Sequence, residues 1–213
     1  MNSDFNIKNY DNLKKREFLQ SLFDSSFTKA EKNSLRMHYQ ALRNLELEGD
    51  FSFEPDTFSV SLLVESITNA CDIFCIDYNK SFIFCGDDTC TIKGNQRLIT
   101  KAILCLLSNG FIYGCGSLIT TNAFSKNGFI HIEIQSAGAL SPDFSFKDGL
   151  TFVKRVCKAH HGHFFIKTSN MCTSAIMLIP EATSFKEGAP TPDIFDLLSD
   201  RLSPIYVEFF GQK

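Results

Sequence analysis

The order and spacing of apolar residues predict an α+β fold: an α/β sandwich of three helices on one face of a mixed sheet, preceded by an N-terminal helical hairpin. Three observations carry this. Runs with period-two alternation are concentrated late in the chain and joined by tight-turn signals, so most of their pairing is antiparallel. Longer segments with helical spacing of apolar residues are interspersed with them. The first 50 residues hold two short amphipathic stretches and no strand pattern.

Residues 11 to 24, DNLKKREFLQSLFD, place Leu13, Phe18, Leu19, Leu22 and Phe23 close to one helical stripe. SSFT breaks the pattern, and Thr28 with Glu31 three residues on forms a capping box for a second helix over about 29 to 47. That helix carries Leu35, His38, Tyr39, Leu42 and Leu45 and stops at Gly49. The two make a hairpin that cannot bury both faces alone, so it packs on the rest of the chain or on a second copy. EGDFSFEPDTFS reads as a turn-rich connector. A third helix, about 59 to 75, has its stripe at Leu62, Leu63, Ile67, Ala70 and Phe74.

Ser81 to Cys85 reads as a short buried strand and GDDTCTIKGN as loop. QRLITKAILCLLSNGFIYG is the longest apolar helix. SLITTNAF and GFIHIEIQ flank SKNG, where Asn127-Gly128 is a strong hairpin signal. In the second of these strands Ile130, Ile132 and Ile134 face one way and His131, Glu133 and Gln135 the other. Gly149 opens the helix LTFVKRVCKAH, and HFFIKTS and TSAIMLIP form a second hairpin around NMC. From 181 onward EATSFKEGAPTP reads as a linker, Pro192 marks a helix start before DIFDLLSD, and SPIYVEFF is a final extended apolar piece. The expected division is a hairpin at 1–50, a core domain at 51–180, and a linker with tail at 181–213. The tail has three open places: over a cleft, at a dimer interface, or against a further domain.

Composition narrows the function. A net charge of −3 offers no clustered basic surface for nucleic acid. MNSDFNIKNYDNLKKREF has no apolar core for a signal peptide, and no apolar run approaches the roughly 20 residues of a membrane span, so a cytoplasmic protein is expected. There the eight cysteines stay reduced; Cys71, Cys75, Cys85 and Cys90 lack the compact two-residue knuckle of a zinc site. The 22 phenylalanines, against 5 tyrosines and no tryptophan, fill a core and indicate no particular chemistry.

Residues from about 44 to 180 resemble the C-terminal half of a sensor histidine kinase, with its ATP-binding domain of the gyrase, chaperone, kinase and MutL superfamily. NLELEGDFSFEPDTFSVSLLVESI is similar to the exit of a dimerisation helix, and GNQRLITKAILCLLSNGFIYG to the N box. GLTFVKRVCKAHHGHFFIKTS resembles the run from the second glycine box through a helix to a His-Gly-Gly turn, and SAIMLIP the closing strand. The resemblance implies the histidine-kinase ATPase type of sandwich and a nucleotide site at Asn109, Ser136, Gly138 and Gly149.

The same resemblance shows what is missing. Asn109 is the polar exception on the stripe 98, 102, 105, 109 and 112, and in the family it coordinates the magnesium that bridges the ATP phosphates. Here its amide is either bonded internally or keeps a residual ligand contact. Cys105 stands where the family has a second Asn or an acid, and Ile112 where kinases often place a Lys. SAGAL puts Ser136 in place of the carboxylate that accepts from adenine, keeps Gly138, and puts Leu140 in place of a glycine. Residues 139 to 148 leave little chain for an ATP lid; Lys147 replaces one glycine of the second box and Gly149 survives, while NMCTS supplies no third-box glycine. The phosphoacceptor box His-Glu-x-x-x-Pro is absent from residues 11 to 24, which leaves His38 as the one histidine of the hairpin.

The resemblance therefore implies a catalytically inactive histidine-kinase-like protein acting by protein interaction in two-component signalling. Its partner would be a response-regulator receiver domain or a histidine kinase, and its assembly a homodimer, with no nucleic acid or membrane. One alternative is a histidine phosphotransferase using His38; another is a weak ATP-binding sensor without kinase activity. No cofactor is expected beyond weak Mg-ATP.

KAHHGHFF gathers three of the five histidines. It reads as a helix end, with Gly162 supplying a left-handed turn, His160 and His161 at the helix C-terminus, and His163 starting a strand. No metal site is expected there.

Overall fold

The computed structural model describes residues 28–45, 53–87, 90–138, 149–183, 189–199 and 203–209. The expected helix at 11–24 and the segment 139–148, with Leu140 and Lys147, lie outside the described residues.

Helix α1 spans Lys29–Leu45. It starts as a capping box should: the Thr28 N–H and hydroxyl each donate to Glu31 Oε2 at 2.7 Å, and the Glu31 N–H donates back to Thr28 Oγ1 at 3.3 Å. Leu35 and Tyr39 pack on the core, but Leu42, expected on the same stripe, is 61% exposed.

The expected connector and loop both contain strands. β1 (Asp56–Ser59) pairs antiparallel with β3 (Thr91–Gly94), with Phe58 opposite Ile92 and both side chains buried. Four-residue strands with one apolar anchor each are too short to show a period, so sequence pattern alone missed them. The supposed linker is tied to this ribbon. Ile92 bridges to Glu181, the Ala182 N–H donates to the Thr91 carbonyl, and the Ala189 N–H donates to the Thr57 carbonyl.

Helix α2 (Val60–Asp72) begins at Ser59, whose hydroxyl accepts from the Leu62 N–H. It tightens into a 3-10 turn over Ile73–Tyr78, which ends at Asn79 in the left-handed region (φ 51°). Leu63, Ile67 and Ala70 are buried as the stripe requires, whereas Leu62 is 46% exposed.

The main sheet runs β2 (Ser81–Phe84), β4 (Leu118–Lys126), β5 (Phe129–Ala137), β7 (Cys172–Pro180), β6 (His163–Thr168). Only β2 and β4 pair in parallel; the other three pairings are antiparallel. The β4–β5 hairpin turns at Asn127 (φ 56°) and Gly128 (φ 76°), the positive-φ pair of a type I′ turn. Ile130, Ile132 and Ile134 face the helices.

Helix α3 (Gln96–Tyr113) is buried at Leu98, Ile99 and every position from 101 to 108, so the expected single stripe is a helix wrapped by protein. Asn95 caps it, accepting from the Leu98 N–H at 3.0 Å. Its last turn is closed by Lys80, whose Nζ donates to the Phe111 and Gly114 carbonyls at 2.6 and 2.8 Å. Burial lowers the Lys80 ammonium's pKa, opposed by the nearby Cys75 and Cys115. Helix α4 (Gly149–Ala159) packs on α3 through Phe152, Val153 and Val156, all fully buried. A buried hydroxyl pair, Thr68 with Thr121 at 2.7 Å, links α2 to β4.

The tail differs most from expectation. Helix α5 (Ile194–Ser199) is capped reciprocally by Asp193 and Asp196. SPIYVEFF is not extended: α6 spans Pro204–Phe209, with Pro204 at the first helical position and Ile205 to Phe209 all buried. A six-residue piece buried at five successive positions, Glu208 included, has no readable period.

Candidate functional site

Three of the residues implied for a nucleotide site, or their immediate neighbours, meet at one end of the sheet. Asn109 on α3 and Ser136 on β5 line one small cavity together with Gly110, Leu106, Ile134, Leu150, Ile166, Thr173 and Ala175. Leu150 brings the start of α4, next to Gly149, to the same place. Gly138 sits just beyond Ser136 at φ 86°, a backbone conformation that favours glycine. Its N–H donates to the Met171 carbonyl at 2.7 Å, and its carbonyl accepts from Thr173 Oγ1 at 3.3 Å. Thr173, opposite Ser136 in the β5–β7 ladder, was not anticipated; only strand register could have placed it.

The cavity is small and apolar. It holds about 30 Å³, room for one or two waters. None of the described residues that line it is charged. Asn109 is half-buried, and its Nδ2 donates to Cys105 Sγ one turn back at 3.9 Å, a long contact to a weak acceptor. The amide is thus directed partly inward along its own helix. Cys105 is itself buried, and Ile112 is half-buried.

His38 lies apart from this cluster, on α1, and is exposed. Its Nδ1 is 2.7 Å from the Ser34 carbonyl oxygen. A carbonyl only accepts, so Nδ1 carries the proton, and in the neutral ring the lone pair lies on Nε2.

The three histidines of KAHHGHFF diverge. His160 is buried, with Nδ1 donating to the Val156 carbonyl at 2.8 Å and Nε2 accepting from the Asn95 N–H at 2.9 Å. Its ring lies 4.9 Å from that of Phe53, and a Cβ on Gly94 would collide with it. Burial pushes its pKa below the usual imidazole value, helped by His161 and opposed by the Val156 carbonyl.

The left-handed residue of the turn is His161 (φ 57°), not Gly162. Gly162 N–H to Cys157 carbonyl (2.8 Å) and His161 N–H to Lys158 carbonyl (3.0 Å) form the paired bonds of a Schellman motif. Gly162 is needed for space: a Cβ there would strike the Leu178 carbonyl oxygen. His163 is exposed on the sheet's outer side, its ring 6.1 Å from that of Phe165. Among the described residues no group of three or more His, Cys, Asp or Glu is placed to hold a metal, and no helix is long and apolar enough to cross a membrane.

No known family and no curated protein matches the sequence. Solved structures do match the fold. Full-length ShkA in complex with AMPPNP superposes at TM-score 0.65 and 12% identity, covering 84% of this chain and 46% of its own. Histidine kinase ThkA in complex with the response regulator protein TrrA gives 0.59 and 13%, covering 85% and 61%. The ATP binding domain of PrrB from Mycobacterium tuberculosis gives 0.53 and 18%, covering 62% of this chain and 100% of its own. This chain thus spans about half the length of the ShkA chain that it matches. The sandwich is that of a histidine kinase ATPase domain, as the sequence resemblance implied.

Proposed function

We propose that this chain is a catalytically inactive histidine-kinase-like protein that acts by protein interaction in two-component signalling. The observation that carries the reading is the cavity at Asn109 and Ser136. Its described lining residues offer one amide, two hydroxyls and no cation or carboxylate. A magnesium triphosphate calls for carboxylate or carbonyl oxygens around the ion and cationic groups on the phosphates. Ser136 lacks the carboxylate that accepts strongly from an adenine amine. These residues do not fit the nucleotide that the fold family implies.

Interaction is what remains for an ATPase-like body joined to a helix with exposed Met37, His38 and Leu42. The solved ThkA complex with its response regulator supports a receiver domain as the partner class. The test is to incubate the full chain with phosphorylated receiver domains. The reading expects a complex on size exclusion with no label passing to the chain; no complex with any receiver or kinase overturns it.

A second reading, histidine phosphotransfer, is favoured by His38. Its Nδ1–H is held by Ser34, so Nε2 can attack an aspartyl phosphate. A phosphorus–nitrogen bond forms, the acyl phosphate bond breaks, and the receiver carboxylate leaves. Label on the wild type and none on His38→Ala decides for this reading. The weak ATP-binding sensor is disposed of by an unchanged melting temperature in millimolar Mg-ATP, since a ligand that binds only the folded state must raise it.

A further inference from the structure

We infer that the C-terminal helix α6 is an intramolecular clasp that fixes α1, and with it His38, on the ATPase-like body. The inference rests on packing alone and is independent of which signalling reading holds.

Helix α6 is six residues long and pairs with no strand, so it has no stability of its own. It is held by side chains. The Phe209 ring stacks on Phe74 at 5.2 Å and meets Phe111 and Phe82 edge-on at 5.5 and 6.0 Å. Tyr206 meets Phe74 edge-on at 5.6 Å, and its hydroxyl donates to the Leu198 carbonyl at 3.0 Å. Ser108 Oγ donates to the Glu208 carbonyl at 3.2 Å. One side of α6 is therefore seated across the 3-10 turn after α2 and the end of α3, on the flank of α3 away from the Asn109 cavity.

Its other side meets α1. Among the described elements, α6 is the one that α1 contacts most extensively. Among the described α1 side chains Leu35 and Tyr39 pack on the core, and Lys101 of α3 lies with Nζ 5.8 Å from the Tyr39 ring centre. The rest of the described helix surface is open: Met37 is 71% exposed, and His38 is exposed beside it. With α6 in place, α1 has one resting position, and His38 points outward from it. With α6 gone, α1 loses the described element that it contacts most and is free to swing. Anything that binds the tail can then move the histidine-bearing helix without touching it.

Hydrogen exchange followed by mass spectrometry on the full chain tests this. Ile205→Asp puts a charge into the α6 seat and Tyr39→Ala removes the α1 side of the contact. Ile205→Asp is expected to speed exchange of α1 amides at least about tenfold while β5 and β7 keep their protection. Tyr39→Ala, the milder change, is expected to raise exchange in both α1 and α6, because the coupling is reciprocal. Unchanged α1 exchange in Ile205→Asp overturns the inference. So does loss of protection in α1 and the sheet together in both variants, which would make α6 ordinary core.

Discussion

Replacing His160 by alanine removes one side chain that ties three elements together. The ring sits at the end of α4, accepts the N–H of Asn95 at the start of α3, and packs beside Phe53. Leaving the partly buried Asn95 N–H without its acceptor costs about 1–3 kcal/mol. The vacated ring volume adds about 1–2 kcal/mol, since neighbours relax only partly. The expected loss is about 3 kcal/mol, a sizeable share of a typical total of about 10 kcal/mol. Urea unfolding followed by far-ultraviolet circular dichroism should show the midpoint falling by about 1 M at an unchanged slope.

The pH dependence has a definite sign. Burial lowers the folded-state pKa of His160 below 6.5, so on acidification the unfolded chain takes up the proton first. The contribution is complete above about pH 6.5 and is lost as pH falls through the folded-state value. His160→Ala should therefore lack part of the wild-type decline that sets in below about pH 6.5. A variant within about 0.5 kcal/mol of wild type, or an identical pH slope, would refute the assignment of His160 as the tie.

Three other outcomes are expected. His161→Gly relieves a left-handed non-glycine residue and should stabilise by up to about 1 kcal/mol, whereas Gly162→Ala should destabilise by more than about 2 kcal/mol through collision with the Leu178 carbonyl; opposed shifts in melting temperature check the pair. Lys80→Met leaves the Phe111 and Gly114 carbonyls without their donor and should lower stability by about 1 kcal/mol in urea. Asn109→Leu gives up only a long contact to Cys105 and fills apolar space, so it should change stability by less than about 1 kcal/mol.

The parts of the fold legible in sequence were those with a full period to read. The β4–β5 hairpin was marked by alternating isoleucines and Asn127-Gly128, and α3 by its long apolar run. β1 and β3 were not legible because each is four residues long with one buried anchor, and α6 because its residues are buried on all sides. The candidate site was half legible. Asn109 and Ser136 do meet, but Thr173 enters through strand register, and Ile166 through an edge strand whose place follows only from the β6–β7 pairing. At KAHHGHFF the residue types pointed to a helix end, yet they assigned the left-handed position to the glycine. The backbone gives it to His161, because Gly162 is spent on a close approach to β7.

The most direct test of the central claim, an ATPase-like body that has lost its nucleotide, is calorimetric titration of the full chain with ATP and magnesium. No saturable heat is expected up to millimolar ATP. Saturable one-to-one binding with a Kd below about 100 µM, abolished in Asn109→Leu, would contradict it.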